Sequence, residues 1–198
     1  SSIFALTKFA DEAIALGKPV MVAPQIMSWK TFAYQLKNQG YNEKDFRFPN
    51  EQELRYWSYS TLAQGGRGLI FYSFYHAFQK GKNLKWVKEV FGKVTKEVSE
   101  FTKITAPAHN PTILKRAGDN NFRIALWNRE GGSYLVLINN YPLTRKRVNR
   151  WMENQIMTAE LVPWGATRKI EAKITGGRLR IAEEINPWEV LVWKIKRK

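Results

Sequence analysis

The hydrophobic period of this chain changes near residue 105, and that change limits the folds open to it. Up to that point short apolar runs alternate with segments of helical spacing. Phe9, Ala13 and Leu16 recur at helical steps, and Gly17 is placed to stop the helix over residues 3–16. The run from Pro19 to Pro24 is apolar without alternation, which suits a strand covered on both faces of a parallel sheet. Asn50 and Glu53 have the spacing of an N-cap pair and open a helix carrying Leu54, Trp57 and Leu62, which ends at Gly65 and Gly66. Residues 68–74 form a second apolar run. Leu84, Val87, Phe91, Val94, Val98 and Phe101 then keep steps of three and four. Helix, strand, helix, strand, helix is the order of a parallel sheet with crossover helices.

Past residue 121 the period is two. Phe122, Ile124 and Leu126 alternate with Arg123, Ala125 and Trp127, and Tyr134 to Ile138 continue in strand character. Ile170, Ala172 and Ile174 lead into Gly176 and Gly177, after which Leu179 and Ile181 return, the pattern of a hairpin. Trp188 to Ile195 closes the set. Short strands with turn signals and no helical period predict a small antiparallel β-sandwich. Residues 106–111 read as a linker, so the expected division is an α/β part over 1–105 and an all-β part over 106–198.

Composition narrows the function classes. The formal net charge is +15, a surface that attracts polyanions but specifies no chemistry. Cysteine is absent, which excludes disulfides, thiolate metal sites and cysteine nucleophiles. Two isolated histidines make no metal-ligand set, and no cofactor is expected. There is no P-loop, no dinucleotide-binding glycine motif, no zincin helix and no hydrolase nucleophile elbow. No apolar run is long enough to span a bilayer, so no membrane partner is expected. The chain begins Ser-Ser-Ile, so the lack of a visible signal peptide leaves localisation open, secretion included.

Two segments carry a resemblance. Residues 49–74, PNEQELRYWSYSTLAQGGRGLIFYSF, are similar to the last-but-one helix and final strand of (β/α)8-barrel glycoside hydrolases. Residues 186–193, NPWEVLVW, are similar to the closing strand of the β-domain that often follows such barrels. The resemblance implies that residues 17–25 are strand seven, and that the chain is the C-terminal part of a barrel with its C-terminal β-sandwich domain. It also implies a carbohydrate substrate. A complete barrel takes about 250 residues, and the barrel-like part here supplies two strands. The missing strands would come from an N-terminal barrel segment or a second chain.

Glycoside cleavage normally needs two carboxyl groups projecting from strand ends. The strand ends here offer Gln25, Ser28, Ser73, Tyr75 and His76, with no carboxylate. The resemblance therefore places the acid and the nucleophile on strands outside this chain, leaving a substrate-binding rim. Trp29 and Tyr75 are candidates to stack on sugar rings, against the alternative of packing under the long loop. Gln25 is a candidate hydroxyl partner or a loop tether. His76 is a candidate proton carrier or substrate contact, against the usual structural histidine. Glu43 and Asp45, in the loop after the first strand, are weak catalytic candidates beside the alternative of solvated loop charges. The cluster Arg145, Lys146, Arg147, Arg150 and Trp151 offers a polyanion site or a charge-protected strand edge. A non-catalytic polysaccharide- or polyanion-binding module is the competing function. Nucleic-acid binding ranks last because no recognised motif supports it.

Overall fold

The computed structural model describes residues 10, 12–17, 19–28, 30, 46–78, 83–105, 111–113, 122–129, 132–140, 149–151 and 156–197. Residues 12–15 are helical and end at Gly17, whose φ of 69° lies in the left-handed region. Strand β1 (Met21–Val22) follows, then helix α1 (Glu51–Gln64) and strand β2 (Gly68–Leu69). A short helix α2 (Phe74–Phe78) leads to α3 (Leu84–Trp86), a π-helical segment (Val87–Gly92) and α4 (Lys93–Thr105). The rest is β: β3 (Thr112–Ile113), β4 (Phe122–Arg129), β5 (Gly132–Asn139), β6 (Asn149–Trp151), β7 (Thr158–Pro163), β8 (Ala172–Thr175), β9 (Arg178–Ile181) and β10 (Val190–Arg197).

Helix α1 starts where its N-cap pair predicts. The Asn50 side chain accepts from the Glu53 backbone N–H at 2.8 Å, and the Glu53 carboxylate accepts from the Asn50 N–H at 2.9 Å. Arg47 adds two bonds of 2.6 Å to the same carboxylate. Burial pushes the Glu53 pKa up, but the Arg47 hydrogen bonds, the Asn50 N–H and the Arg47 charge outweigh it, and the net shift is downward. A depressed carboxyl pKa stabilises the fold above the unfolded value of about 4.3 and loses that contribution as the pH falls through the lower folded value. Glu53→Gln is therefore expected to cost about 1 kcal/mol at neutral pH and almost nothing in acid below the folded value, allowing for the screening of this partly exposed pair. Urea unfolding at neutral and at acid pH checks it, and an equal cost at both would refute the assignment.

The face that α1 buries differs from the sequence expectation. Trp57 and Leu62 are only partly buried, while Leu54, Tyr56, Tyr59 and Ala63 enter the core. The helix is enclosed on most sides, so apolar spacing alone does not mark a single stripe. At its C-terminus Gly65 takes φ 97°, and a Cβ on Gly66 would lie 2.4 Å from Thr61 Cγ2. Both glycines are thus demanded by the turn. Along the second helical stretch, the π-helical segment puts an extra residue into the turn and breaks the three-four spacing. Leu84 stays 43% exposed, whereas Val94, Val98 and Phe101 are buried.

Among the described residues β3 to β10 form one hydrogen-bonded sheet of eight strands, ordered β3-β4-β5-β10-β7-β8-β9-β6. A single continuous sheet stands where the sequence pattern predicts a sandwich. Ile124 of β4 and Leu179 of β9 are far apart in that order yet share one apolar cluster, so the sheet curls around its inner face. The hairpin β8–β9 closes across Gly176 and Gly177, with Thr175 opposite Arg178 and both glycines at positive φ, the geometry of a two-residue type I′ turn.

Strands β4, β5 and β10 are buried on both faces. Ile124, Leu137 and Leu191 lie in one cross-strand row and Leu126, Leu135 and Trp193 in another, both facing the inner cluster. The alternate row of Ala125, Val136 and Val192 faces the helices. Phe101 of α4 sits at that junction, with ring centroids 5.2 Å from Tyr59, 5.2 Å from Trp127 and 5.4 Å from Trp164. One apolar cluster therefore joins the helical part to the sheet across residue 105.

A buried polar network reinforces the same junction. Glu97 Oε1 accepts from Arg55 Nε at 3.1 Å, Arg55 Nη2 at 2.9 Å and the Tyr59 hydroxyl at 2.9 Å. Glu97 Oε2 accepts from the Ala166 N–H at 3.3 Å, and Arg55 Nη1 donates to the Val190 carbonyl at 3.2 Å. Burial first, then the charge and hydrogen bond of Glu97, hold the Tyr59 pKa far above its ordinary value. Gly165, at φ 61°, leaves room for this carboxylate, since a Cβ there would lie 2.9 Å from Glu97 Cδ.

The NPWE segment turns into β10 on similar terms. Asn139 is fully buried and donates to the carbonyls of Ile185 and Asn186 at 3.0 Å each. Glu189 accepts from the Asn186 N–H at 2.7 Å and from Arg168 at 2.9 Å, and Trp188 stands at φ 61° against the ring of Tyr56.

Candidate strand-end ledge

β1 and β2 run parallel, with Met21 opposite Gly68 and Val22 opposite Leu69. Backbone pairing continues beyond the regular strands. The Ile70 N–H donates to Val22 O at 2.9 Å, the Tyr72 N–H to Pro24 O at 3.0 Å and the Ile26 N–H to Tyr72 O at 2.6 Å. Gln25 is thereby bridged to Tyr72, and the C-terminal ends of both strands lie side by side. Alternation then sorts the apolar run. Val22 is buried and Leu69 and Phe71 pack against the helices, whereas Met21, Ile70 and Tyr72 are left 59%, 55% and 54% exposed. The sequence run reads as covered on both faces, and the described structure covers one.

Of the candidates, Gln25, Tyr75 and His76 come from these adjoining strand ends. Gln25 is half-buried and its Nε2 donates to the Met27 carbonyl at 3.1 Å, a bond of the kind a loop tether makes. Tyr75 is 70% exposed at the start of α2. His76 Nδ1 lies 2.7 Å from Ser73 Oγ, and its ring stands edge-on to Tyr75 with centroids 5.3 Å apart. Trp29, Glu43 and Asp45 lie outside the described residues, as do Arg145, Lys146 and Arg147. Residues 19–28 and 67–78, which build the ledge, contain no aspartate or glutamate.

The ledge thus offers exposed aromatic faces and a histidine–serine hydrogen bond, which suit a sugar ring and its hydroxyls. Tyr72 is the residue that sequence reasoning missed. Its only signal was the step of two from Ile70, and that step is invisible when both sides of a strand are apolar.

The comparisons address the fold. The described fold is similar to part of solved α-amylase structures. An Anoxybacillus α-amylase superposes with a TM-score of 0.55 at 13% identity, over 91% of this chain and 38% of its own. An α-amylase from Geobacillus thermoleovorans, solved with acarbose, gives 0.57 at 10% identity, over 91% of this chain and 39% of its own. This chain therefore spans about two-fifths of the length of those structures, consistent with the C-terminal piece that its sequence resembles. No protein-family model and no curated protein matches it. No described helix is long and apolar enough to cross a membrane.

Proposed function

We propose that this chain is the C-terminal part of a glycoside hydrolase-like, carbohydrate-active enzyme. Residues 1–105 are the last two strand–helix units of a (β/α)8 barrel, and residues 106–198 are the β-domain that follows. The observation that carries this reading is the uncovered apolar side of the β1–β2 pair, where Met21, Ile70 and Tyr72 stand exposed. Parallel strands are normally covered on both faces, and two of them alone make no stable sheet. Further barrel strands, from an N-terminal segment or a second chain, cover that side. The catalytic carboxylates lie on those strands, because the ledge residues include none. Tyr75 and His76 contribute to the substrate rim, with Tyr72 beside them.

Native mass spectrometry of the protein from its source cells tests the reading. The 198 residues are expected to be joined to, or bound by, further polypeptide. In that assembly Tyr75→Ala should weaken acarbose about tenfold, equal to ~1.4 kcal/mol. A lone 198-residue monomer that unfolds cooperatively and ignores acarbose would overturn the proposal. If that monomer instead retained acidic polysaccharide with strong salt dependence, the net charge of +15 would become the basis of function, as a binding module.

A further inference from the structure

On the side of β2 away from the ledge, a crevice of about 450 Å³ opens where α1, α4 and the sheet meet. This volume falls in the range of small-molecule sites, which favour the junctions between structural units. Leu62, Leu69, Phe71, Val98 and Trp127 give it an apolar surface. Four hydroxyl-bearing residues, Thr95, Ser99, Thr102 and Thr105, line the same space, and those of Thr95 and Thr105 already donate to the Phe91 and Phe101 carbonyls at 2.9 Å and 2.8 Å. Thr102 Oγ1 donates to the Ser99 carbonyl at 3.0 Å, so it presents acceptor lone pairs, while Ser99 retains a hydroxyl proton to give.

Arg67 is the one charged residue among the described residues that line the crevice. Arg67 is exposed and, among the described residues, forms no salt bridge. Its backbone is held firmly. The Arg67 N–H donates to Val20 O at 2.8 Å, and a Cβ on the preceding Gly66 would collide with Thr61, at 2.4 Å from Cγ2 and 2.8 Å from the carbonyl oxygen. A permanent cation is thus presented beside an apolar hollow that holds no carboxylate of its own.

A sugar would bring many hydroxyls to a wall with few donors and would leave them unpaired. A purely apolar ligand would make no use of the cation. We propose that this crevice binds an amphipathic carboxylate, with its hydrocarbon body on the Leu69, Phe71 and Trp127 surface and its carboxylate on Arg67. This site uses the helix-facing side of residues 67–71, opposite the exposed Ile70 and Tyr72.

Dodecanoate below its micellar concentration is the probe, titrated into the protein by calorimetry. Saturable binding is expected, with dodecyltrimethylammonium, a cation of the same tail length, showing none. Arg67→Ala should weaken dodecanoate about tenfold. Ser99→Trp should abolish binding by filling the hollow from an exposed position. Ile70→Ser, on the opposite side of β2, should leave it unchanged. Equal binding of the two detergents, loss of binding in Ile70→Ser alone, or full binding in Arg67→Ala would overturn the proposal. Should Ser99→Trp melt early, Arg67→Ala decides, because its side chain lies outside the core.

Discussion

Replacing Glu97 with alanine is expected to cost the fold about 3–5 kcal/mol, the usual penalty for leaving one partner of a buried ion pair behind. Arg55 and Glu97 keep only 9% and 7% of their side-chain surface in solvent. Without the carboxylate, Arg55 retains a single bond to the Val190 carbonyl, and the Tyr59 hydroxyl and Ala166 N–H lose their acceptor. For a chain of this size the loss corresponds to a fall in Tm on the order of 10 °C. Glu97→Leu combined with Arg55→Leu should recover much of it, since removing both charges spares the uncompensated one. A midpoint of urea unfolding within error of the unmutated protein would show that the network carries no stability. A double variant as damaged as the sum of the singles would show that its packing, rather than its charge, is what counts.

Phe101→Ala should be nearly as severe, at about 3–5 kcal/mol. The side chain is completely buried and is ringed by Tyr59, Trp127, Tyr134 and Trp164. Its removal leaves a cavity walled by rigid aromatic rings that cannot collapse into it, and it forfeits edge-to-face contacts worth about 0.5–1.5 kcal/mol each. Hydrogen exchange gives the sharper reading. Amides of α1 and α4 should lose protection first, while β7, β8 and β9, whose core cluster excludes Phe101, should keep theirs. Loss of protection spread evenly over the chain would contradict a helix layer held chiefly through this ring. Because Glu97 and Phe101 both touch Tyr59, their substitutions should not add.

Legibility differed from feature to feature for identifiable reasons. The N-cap of α1 was readable because a capping box needs only two residue types three positions apart, both in the same stretch of chain. The glycine pair of the β8–β9 hairpin was readable for the same reason, although only the structure gave its loop length. The Glu97 network was not readable. The partners of Glu97 lie 38 to 69 positions from it, and an isolated Arg55 or Glu97 in a helical stretch has the look of a solvated surface charge. The ledge falls between these cases. Its position at strand ends and its lack of carboxylates could be read directly. Tyr72 could not be picked out, since Leu69, Ile70, Phe71 and Tyr72 are all apolar or aromatic and present no polar face to mark the open side.

By itself the sequence determined the alternation of strand and helix before residue 105, the switch of period near it, the cap of α1, the β8–β9 turn, and the lack of aspartate and glutamate in residues 19–28 and 67–78, whereas β3, β6, β7 and the start of α2 at Phe74 were not legible in it. The legible features depend on neighbours within a few residues, where backbone geometry and side-chain chemistry act directly. Only the tertiary structure decided that β3 to β10 form one curled sheet, that helices cover β4, β5 and β10, and that one side of β1 and β2 stands open. Each of those outcomes depends on which apolar surfaces meet. Hydrophobic attraction has no direction, so an apolar residue announces that it will be buried without naming its partner.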